Sequence, residues 1–295
     1  MKEVLNYLIK YRNEKIIILG HNNIDVDSII SGYLLDKLLK SFGFDSEFVI
    51  LDKVIGDESL NICLKYGLNP NIFIKEIDIN NNYKYILVDH NDRNIDNIVG
   101  IIDHHKVIDN ISCDNYFISN YSSTTCMICK GLEEYFSKVD LELCFLGAFV
   151  DTVSFHSLKG RDEDLNWIKD LCNKLDIDYT KLYKDGLCIT DISDINKIYL
   201  NGHKVHKYKD YKIESSYIQI ENSDLKIDII NNIIELLKKY YLDKEIDYFV
   251  FIVHDMSIFK SKVYIVKKDK IDIVDYDYYA PRGNVIIPDV IKRIK

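Results

Sequence analysis

Three short apolar runs in this chain end abruptly in acids and histidines. Ile16-Ile17-Ile18-Leu19 leads through Gly20 to His21, Tyr85-Ile86-Leu87-Val88 stops at Asp89-His90, and Val99-Gly100-Ile101-Ile102 stops at Asp103-His104-His105. A short apolar run without alternation reads as a strand buried on both faces. Between the runs lie helical spacings (Ile29, Ile30, Tyr33, Leu34, Leu38 and Leu39, then Asp57 to Tyr66) and one further strand, Ser46 to Leu51. Val4, Leu5, Leu8 and Ile9 mark a short helix ahead of the first strand. Strands alternating with helices build βαβ units and a parallel sheet, with ligands beyond the carboxyl ends of the strands. The expected class is α/β: a parallel-sheet domain with helices on both faces, followed by a smaller α/β C-terminal domain.

At roughly 100–200 residues per domain, 295 residues suggest two. Helices dominate from Ser123 to about Cys188, and the short polar stretch after them reads as a linker. The expected division is residues 1–187, a linker over 188–196, and residues 197–295. The second part carries a Lys-rich polar stretch, a strand over Tyr211–Glu221, a helix over Ser223–Tyr241, strands at Tyr248–Val253 and Lys262–Val266, and a final segment, Arg282–Lys295. The net charge of −9 argues against a nucleic-acid or membrane-surface partner, and no apolar run reaches the ~18 residues that span a bilayer. The N-terminus lacks the pattern of a signal peptide, and an odd count of cysteines in mostly apolar settings suits reduced thiols, so the expected location is cytoplasmic. Cys126-Met127-Ile128-Cys129 has no second pair nearby and reads as part of a helix.

The acids and histidines carry the chemistry. His21, Asp25 and Asp27 follow the first strand; Asp89 and His90 follow another; Asp103, His104 and His105 a third; Asp151 ends the run Phe145–Val150. A lone Asp after a strand is usually a helix cap, and Asp27 or Ser28 suits a helix starting near Ile29. Four carboxylates (Asp25, Asp27, Asp89, Asp151) with His21 and His104 are more negative charge than one pocket holds without cations. Mixed imidazole and carboxylate donors suit Mn, Zn, Fe or Co better than Ca. Six ligands suit two ions sharing a carboxylate, an arrangement used for displacement at phosphorus.

Four segments in this order, Gly20-His21-Asn22-Asn23-Ile24-Asp25-Val26-Asp27-Ser28, Leu87-Val88-Asp89-His90-Asn91-Asp92, Asp103-His104-His105 and Asp151-Thr152, resemble the motifs of the DHH phosphoesterase superfamily. Ser122-Ser123-Thr124-Thr125 resembles its Ser/Thr-rich helix start. The Val-Asp-His-Asn form of the second motif is similar to that of manganese-dependent family II inorganic pyrophosphatases, with exopolyphosphatases as the nearest alternative. The Gly-Gly-Gly-His run of the oligonucleotide and cyclic-dinucleotide phosphodiesterases is absent.

The resemblance implies that His21 and Asp25 bind one ion, that Asp27, His104 and Asp151 bind a second, and that Asp89 bridges them. The ions are two divalent metals, Mn first, with Co or Mg as alternatives. Asp89, His90 and His105 form the implied catalytic set, and a hydroxide activated by both metals splits pyrophosphate into two phosphates in a cleft between the domains. His105 contacts phosphate, Asp103 holds a histidine tautomer, and His105, Ser123, Lys204 and Arg282 form the implied substrate contacts. Lys212 competes with Lys204. Pro281-Arg282-Gly283-Asn284 resembles an ending that normally carries Lys where Gly283 and Asn284 stand, which removes positive charge from the grip on phosphate. The resemblance also implies a homodimer. An exopolyphosphatase or other small phosphoanhydride or phosphodiester hydrolase is the alternative within enzymes; a non-catalytic phosphate or nucleotide sensor is the alternative outside them. His156, His203, His206 and His254 have no ligand-like neighbours and read as structural or solvated.

Overall fold

The computed structural model describes residues 1–79, 83–107, 113–209, 211–244, 246–267 and 270–293, and of residue 225 the backbone alone. The chain divides into two compact units, Met1–Gly186 and Leu187–Lys295.

In the first unit, α1 (Lys2–Leu8) precedes β1 (Ile16–Leu19), α2 (Val26–Ser41), β2 (Ser46–Val49), α3 (Asp57–Lys65), β3 (Lys84–Val88), β4 (Ile98–Asp103) and β5 (Tyr116–Ile118). Four helices follow: α4 (Thr124–Cys129), α5 (Lys138–Asp151), α6 (Asp162–Leu175) and α7 (Tyr179–Gly186). The sheet is parallel throughout, in the order β2-β1-β3-β4-β5. All four residues of β1 are buried, as an apolar run in a central strand requires. The chain leaves β1 for β2 on one side and returns to β3 on the other. This reversal opens a crevice at the carboxyl ends of β1 and β3, where ligands of open α/β sheets sit.

The Ile16/Ile18 face carries the large core with residues of α1 to α7, among them Leu34, Met127, Phe145 and Leu182. On the Ile17/Leu19 face the cluster holds Tyr85, Leu87, Ile101 and the loop residue Cys113, packed by partly buried Ile77 and Ile95. The α/β class holds, but among the described residues no helix contributes to this second cluster, and loop residues stand where a second helical layer was expected. α5 starts on a capping box between Ser137 and Asp140, whose carboxylate also takes Lys37 Nζ at 2.7 Å.

The second unit is a mixed sheet in the order β10-β9-β8-β7-β6, built from β6 (Lys204–Tyr208), β7 (Tyr211–Ile220), β8 (Tyr248–Asp255), β9 (Lys260–Lys267) and β10 (Lys270–Tyr276). The helices are α8 (Ile195–Ile198), α9 (Ile227–Leu242) and α10 (Ile287–Arg293). β7 and β8 pair in parallel across α9, and the other pairs are antiparallel. α9 packs Ile230, Ile233, Ile234 and Leu237 on one face, and α10 packs Ile287 and Val290 on the other. Two strands of this unit escape the sequence pattern, β6 and β10, as β5 does in the first unit. Both are edge strands whose charged residues meet water and discourage pairing with another chain. Residues 188–196, expected as a linker, belong to this unit: Thr190 N donates to Gln219 O at 2.7 Å, and Asp194 caps α8. Residues 294–295 of the expected final segment lie outside the described residues.

Candidate metal centre

The first strand ends at Leu19, and Gly20 turns the chain past α2; any side chain there would overlap Ser28 Oγ, which accepts from His21 N at 3.3 Å. Asp25, rather than Asp27 or Ser28, caps α2. Its Oδ1 accepts from Ser28 N at 3.1 Å, and the helix begins at Val26, not near Ile29. That moves Asp27 into the first turn, where it is fully buried. Both its oxygens accept backbone N–H groups from the start of α4: Thr124 N at 2.7 Å and Thr125 N at 3.1 Å. A carboxylate suits this position, because the first N–H groups of a helix have no partner within it. Gly147 lets α5 approach, since a Cβ there would lie 2.8 Å from Thr125. Asp89 leaves β3 in a left-handed conformation (φ 65°), and its Oδ1 accepts from Thr124 Oγ1 at 3.0 Å.

Each histidine is oriented by its outer nitrogen. His104 Nδ1 donates to Tyr121 O at 3.2 Å, which turns Nε2 toward Asp89 Oδ1 (3.4 Å), Asp151 Oδ2 (3.4 Å) and Asp27 Oδ2 (3.9 Å). His21 Nδ1 donates to Asn22 O at 2.9 Å, and its Nε2 faces Asp25 Oδ2 at 3.3 Å and Asp89 Oδ2 at 3.5 Å. Three groups with metal-ligand spacing result: His21–Asp25–Asp89, Asp27–His104–Asp151, and Asp89–His104–His105, which links the first two; the two oxygens of Asp89 face His21 and His104. A divalent ion with bonds of ~2.1 Å needs donors about 3.0–3.5 Å apart, close to these spans. His104 Nε2 and Asp151 Oδ2 are buried without a hydrogen-bond partner. Two orphaned acceptor atoms 3.4 Å apart are tolerable only with a proton or a cation between them. The residues therefore fit divalent metal ions.

Electrostatics say the same. Burial alone would lower the imidazole pKa values. Asp25 and Asp89 overcome it and push His21 up to about 11, while Asp89, Asp151 and Asp27 push His104 up to about 10. Burial, with Asp89 and Asp151 nearby, drives Asp27 well above the carboxylate range. Against its own burial, Asp89 is held well below that range by His104 and His21. The same negative field that holds protons on these imidazoles would attract a cation.

Residues 15–148 match the DHH family, N-terminal domain. A probable manganese-dependent inorganic pyrophosphatase of Exiguobacterium sp. is 24% identical over 300 residues, covering 95% of both chains. The manganese-dependent inorganic pyrophosphatase of Bacillus subtilis is 28% identical over 177 residues, 56% of this chain and 57% of that one. The crystal structure of a Methanococcus jannaschii protein assigned to family II inorganic pyrophosphatases aligns with a TM-score of 0.65 at 20% identity, over 94% of this chain and 98% of that one. At that identity the likeness is one of fold.

Around the six residues the first unit arranges the rest of the motifs. His105 Nδ1 donates to Asp103 Oδ1 at 2.8 Å, and Asn91 Nδ2 donates to Asp103 Oδ2, so the buried Asp103 orients the His105 ring. His90 Nδ1 donates to Val88 O at 2.9 Å, while burial, with a smaller push from Arg93, lowers its pKa. Ser123, expected as a substrate contact, is turned inward here. It is fully buried, caps α4 through Cys126 N at 3.1 Å and bonds Thr125 Oγ1 at 2.8 Å. In the second unit, Lys204 lies on β6, Lys212 Nζ pairs with Glu214 at 3.0 Å, and Arg282 donates to Gly202 O while standing 5.2 Å from the centre of the Tyr217 ring. His156, His203, His206 and His254 bond Tyr183, Glu214, Ser215 and Ser261. The Cys126–Cys129 pair is buried in α4 as free thiols.

Two residues escaped the sequence reading. Thr124 sat inside a quoted motif, but only the fold shows its hydroxyl on Asp89. Lys159, eight residues after Asp151, places Nζ 2.6 Å from Asp151 Oδ1. Burial disfavours its charge, but Asp151, Asp89 and Asp25 raise its pKa above the ordinary lysine value. The turn between them holds three successive non-glycine residues in the left-handed region: Val153 (φ 51°), Ser154 (52°) and Phe155 (65°). Such residues cost roughly 1–3 kcal/mol each, so the surroundings must hold them. Ser154 Oγ on Tyr183 O (2.5 Å) and Phe155 N on Thr152 Oγ1 (3.0 Å) do so.

Proposed function

We propose that this chain hydrolyses inorganic pyrophosphate to two phosphates with two divalent ions, manganese first. The reading is carried by one observation: the two oxygens of Asp89 face the histidines of two neighbouring His/Asp triads. Two such ions lower the pKa of water held between them and neutralise phosphate charge. His21, Asp25 and Asp89 hold one ion; Asp27, His104 and Asp151 hold the other with Asp89. Thr124 and the α4 amides keep Asp89 and Asp27 from swinging out. His105, fixed by Asp103 and with its side chain 43% exposed, is a phosphate contact from this unit, and His90 braces the Asp89 turn. Lys204 and Arg282 are the proposed contacts from the second unit. Support comes from the relatives, which are named manganese-dependent pyrophosphatases. Among the described residues no helix is long and apolar enough to cross a membrane. The reading extends to a cytoplasmic homodimer, which light scattering on the purified protein tests for assembly.

Gly283 and Asn284, where the family pattern carries lysines, favour a second reading, hydrolysis of longer polyphosphate. The deciding experiment is phosphate release from pyrophosphate, long-chain polyphosphate and a short oligonucleotide, each with Mn. Pyrophosphate is expected to be the fastest. Faster release from polyphosphate replaces the first reading with the second. Mn uptake with no release from any of them returns the chain to a non-catalytic sensor.

A further inference from the structure

The geometry points to Lys159 as a phosphate-binding residue: its ammonium holds substrate oxygens beside the Asp27–His104–Asp151 triad and supplies positive charge that Gly283 and Asn284 do not. This rests on reading the site as a pyrophosphate hydrolase.

Asp151 is divided between two tasks. Its Oδ1 holds Lys159 Nζ at 2.6 Å, while Oδ2 is buried without a partner and faces His104 Nε2 at 3.4 Å. Among the described residues, no other lysine or arginine forms an ion pair with any of the six candidate ligands. The arrangement is built rather than incidental. Lys159 follows the strained turn of Val153, Ser154 and Phe155, whose left-handed backbone brings the chain back onto the carboxylate it has just left. Gly160 belongs to the same device, because a Cβ there would meet the Phe155 backbone at 3.0 Å. With a cation held at Oδ2, Asp151 would hold the ammonium less tightly. A pyrophosphate anion is then the stronger partner. A lysine suits that exchange: three rotatable donors on a flexible stem form a point charge that follows a phosphate. The side chain is 36% exposed and has room to shift.

The test uses the full-length protein and a non-hydrolysable analogue, imidodiphosphate. In Lys159→Gln, binding of imidodiphosphate to Mn-loaded protein, read by calorimetry, should weaken by about tenfold or more, as loss of a charge-assisted contact implies. Mn uptake by the metal-free variant should tighten, because a positive charge beside the triad is gone. A residue that merely braced Asp151 would move Mn affinity the other way. Lys159→Arg should recover part of the analogue binding. On the parent protein, imidodiphosphate with Mn should shield Lys159 from reductive methylation, read by mass spectrometry, and Mn alone should not; this arm does not depend on how a variant folds. Unchanged analogue binding in Lys159→Gln, Mn affinity falling with it, or no shielding of the parent lysine overturns the assignment. A parent that takes up Mn yet ignores imidodiphosphate overturns the hydrolase reading beneath it instead.

Discussion

The two triads meet at Asp89, which belongs to one and faces the histidine of the other, but they differ in how they are held and how much water reaches them. In the outer one the side chains of Asp25 and His21 are 50% and 24% exposed. In the inner one Asp27 is 1% exposed, His104 3% and Asp151 11%. Asp25 is fixed by capping its own helix, a local contact. Asp27 is fixed by the first amides of a helix almost a hundred residues away in sequence. Charge interactions strengthen as water is excluded. The inner triad is therefore the drier one, and its arrangement depends on tertiary packing in a way the outer one's does not.

The largest effect should come from the residue that joins them. Asp89→Ala removes the carboxylate that faces both histidines, and pyrophosphate hydrolysis should fall on the order of 10³-fold or more. Elemental analysis should show both Mn sites depleted. Loss of one ion with the other retained would break the view of Asp89 as a bridge.

Next comes a contrast between neighbours. Asp27→Asn cannot accept both α4 amides, so one buried N–H loses its partner at a cost of about 1–3 kcal/mol. The metal-free protein should melt several degrees lower. Asp25→Asn keeps a good helix cap and should change the melting temperature little. Equal destabilisation by the two, measured by differential scanning calorimetry, would erase the distinction between the triads.

Acidity offers a third test. The pKa values of His21 and His104 lie above their unfolded value, at about 11 and about 10. Their contribution to metal-free stability is full below about pH 6.5 and is lost as pH rises through about 10–11. Manganese needs the neutral imidazoles, so its apparent affinity should climb over the same window, by up to about tenfold per pH unit for each proton displaced. Melting curves between pH 7 and 10 should fall for the metal-free protein and rise for the Mn-loaded one. A flat metal-free curve would show that the cluster does not trap protons.

The smallest effect is expected away from both triads, in the second unit. Gly283→Lys restores a charge of the family pattern on an exposed residue and should lower the KM for pyrophosphate several-fold with kcat little changed. No change there, with Arg282→Ala also harmless, would leave phosphate binding to the first unit.

Much of this was legible in the chain itself, because strand ends are local features. Ile16–Leu19, Tyr85–Val88 and Val99–Ile102 are apolar enough to be buried on both faces, and the residues that follow them must emerge at one edge of a parallel sheet. That order alone collected His21, Asp89 and His104 with their acids and set the α/β class. Packing over long sequence distances decided the rest. Which Asp caps α2 depended on where the helix begins, and two acids in one turn compete for that role on nearly equal terms. Ser123 reads as a polar site residue until burial makes it a cap, and residues 188–196 read as a linker until β7 offers Thr190 a partner. The edge strands β6 and β10 carry too many charges to announce themselves, because water, not the core, sets their composition. Lys159 has no pattern at all. Its place on Asp151 comes from a left-handed turn that its neighbours hold in place, and a conformation of that kind becomes affordable only once the fold around it exists.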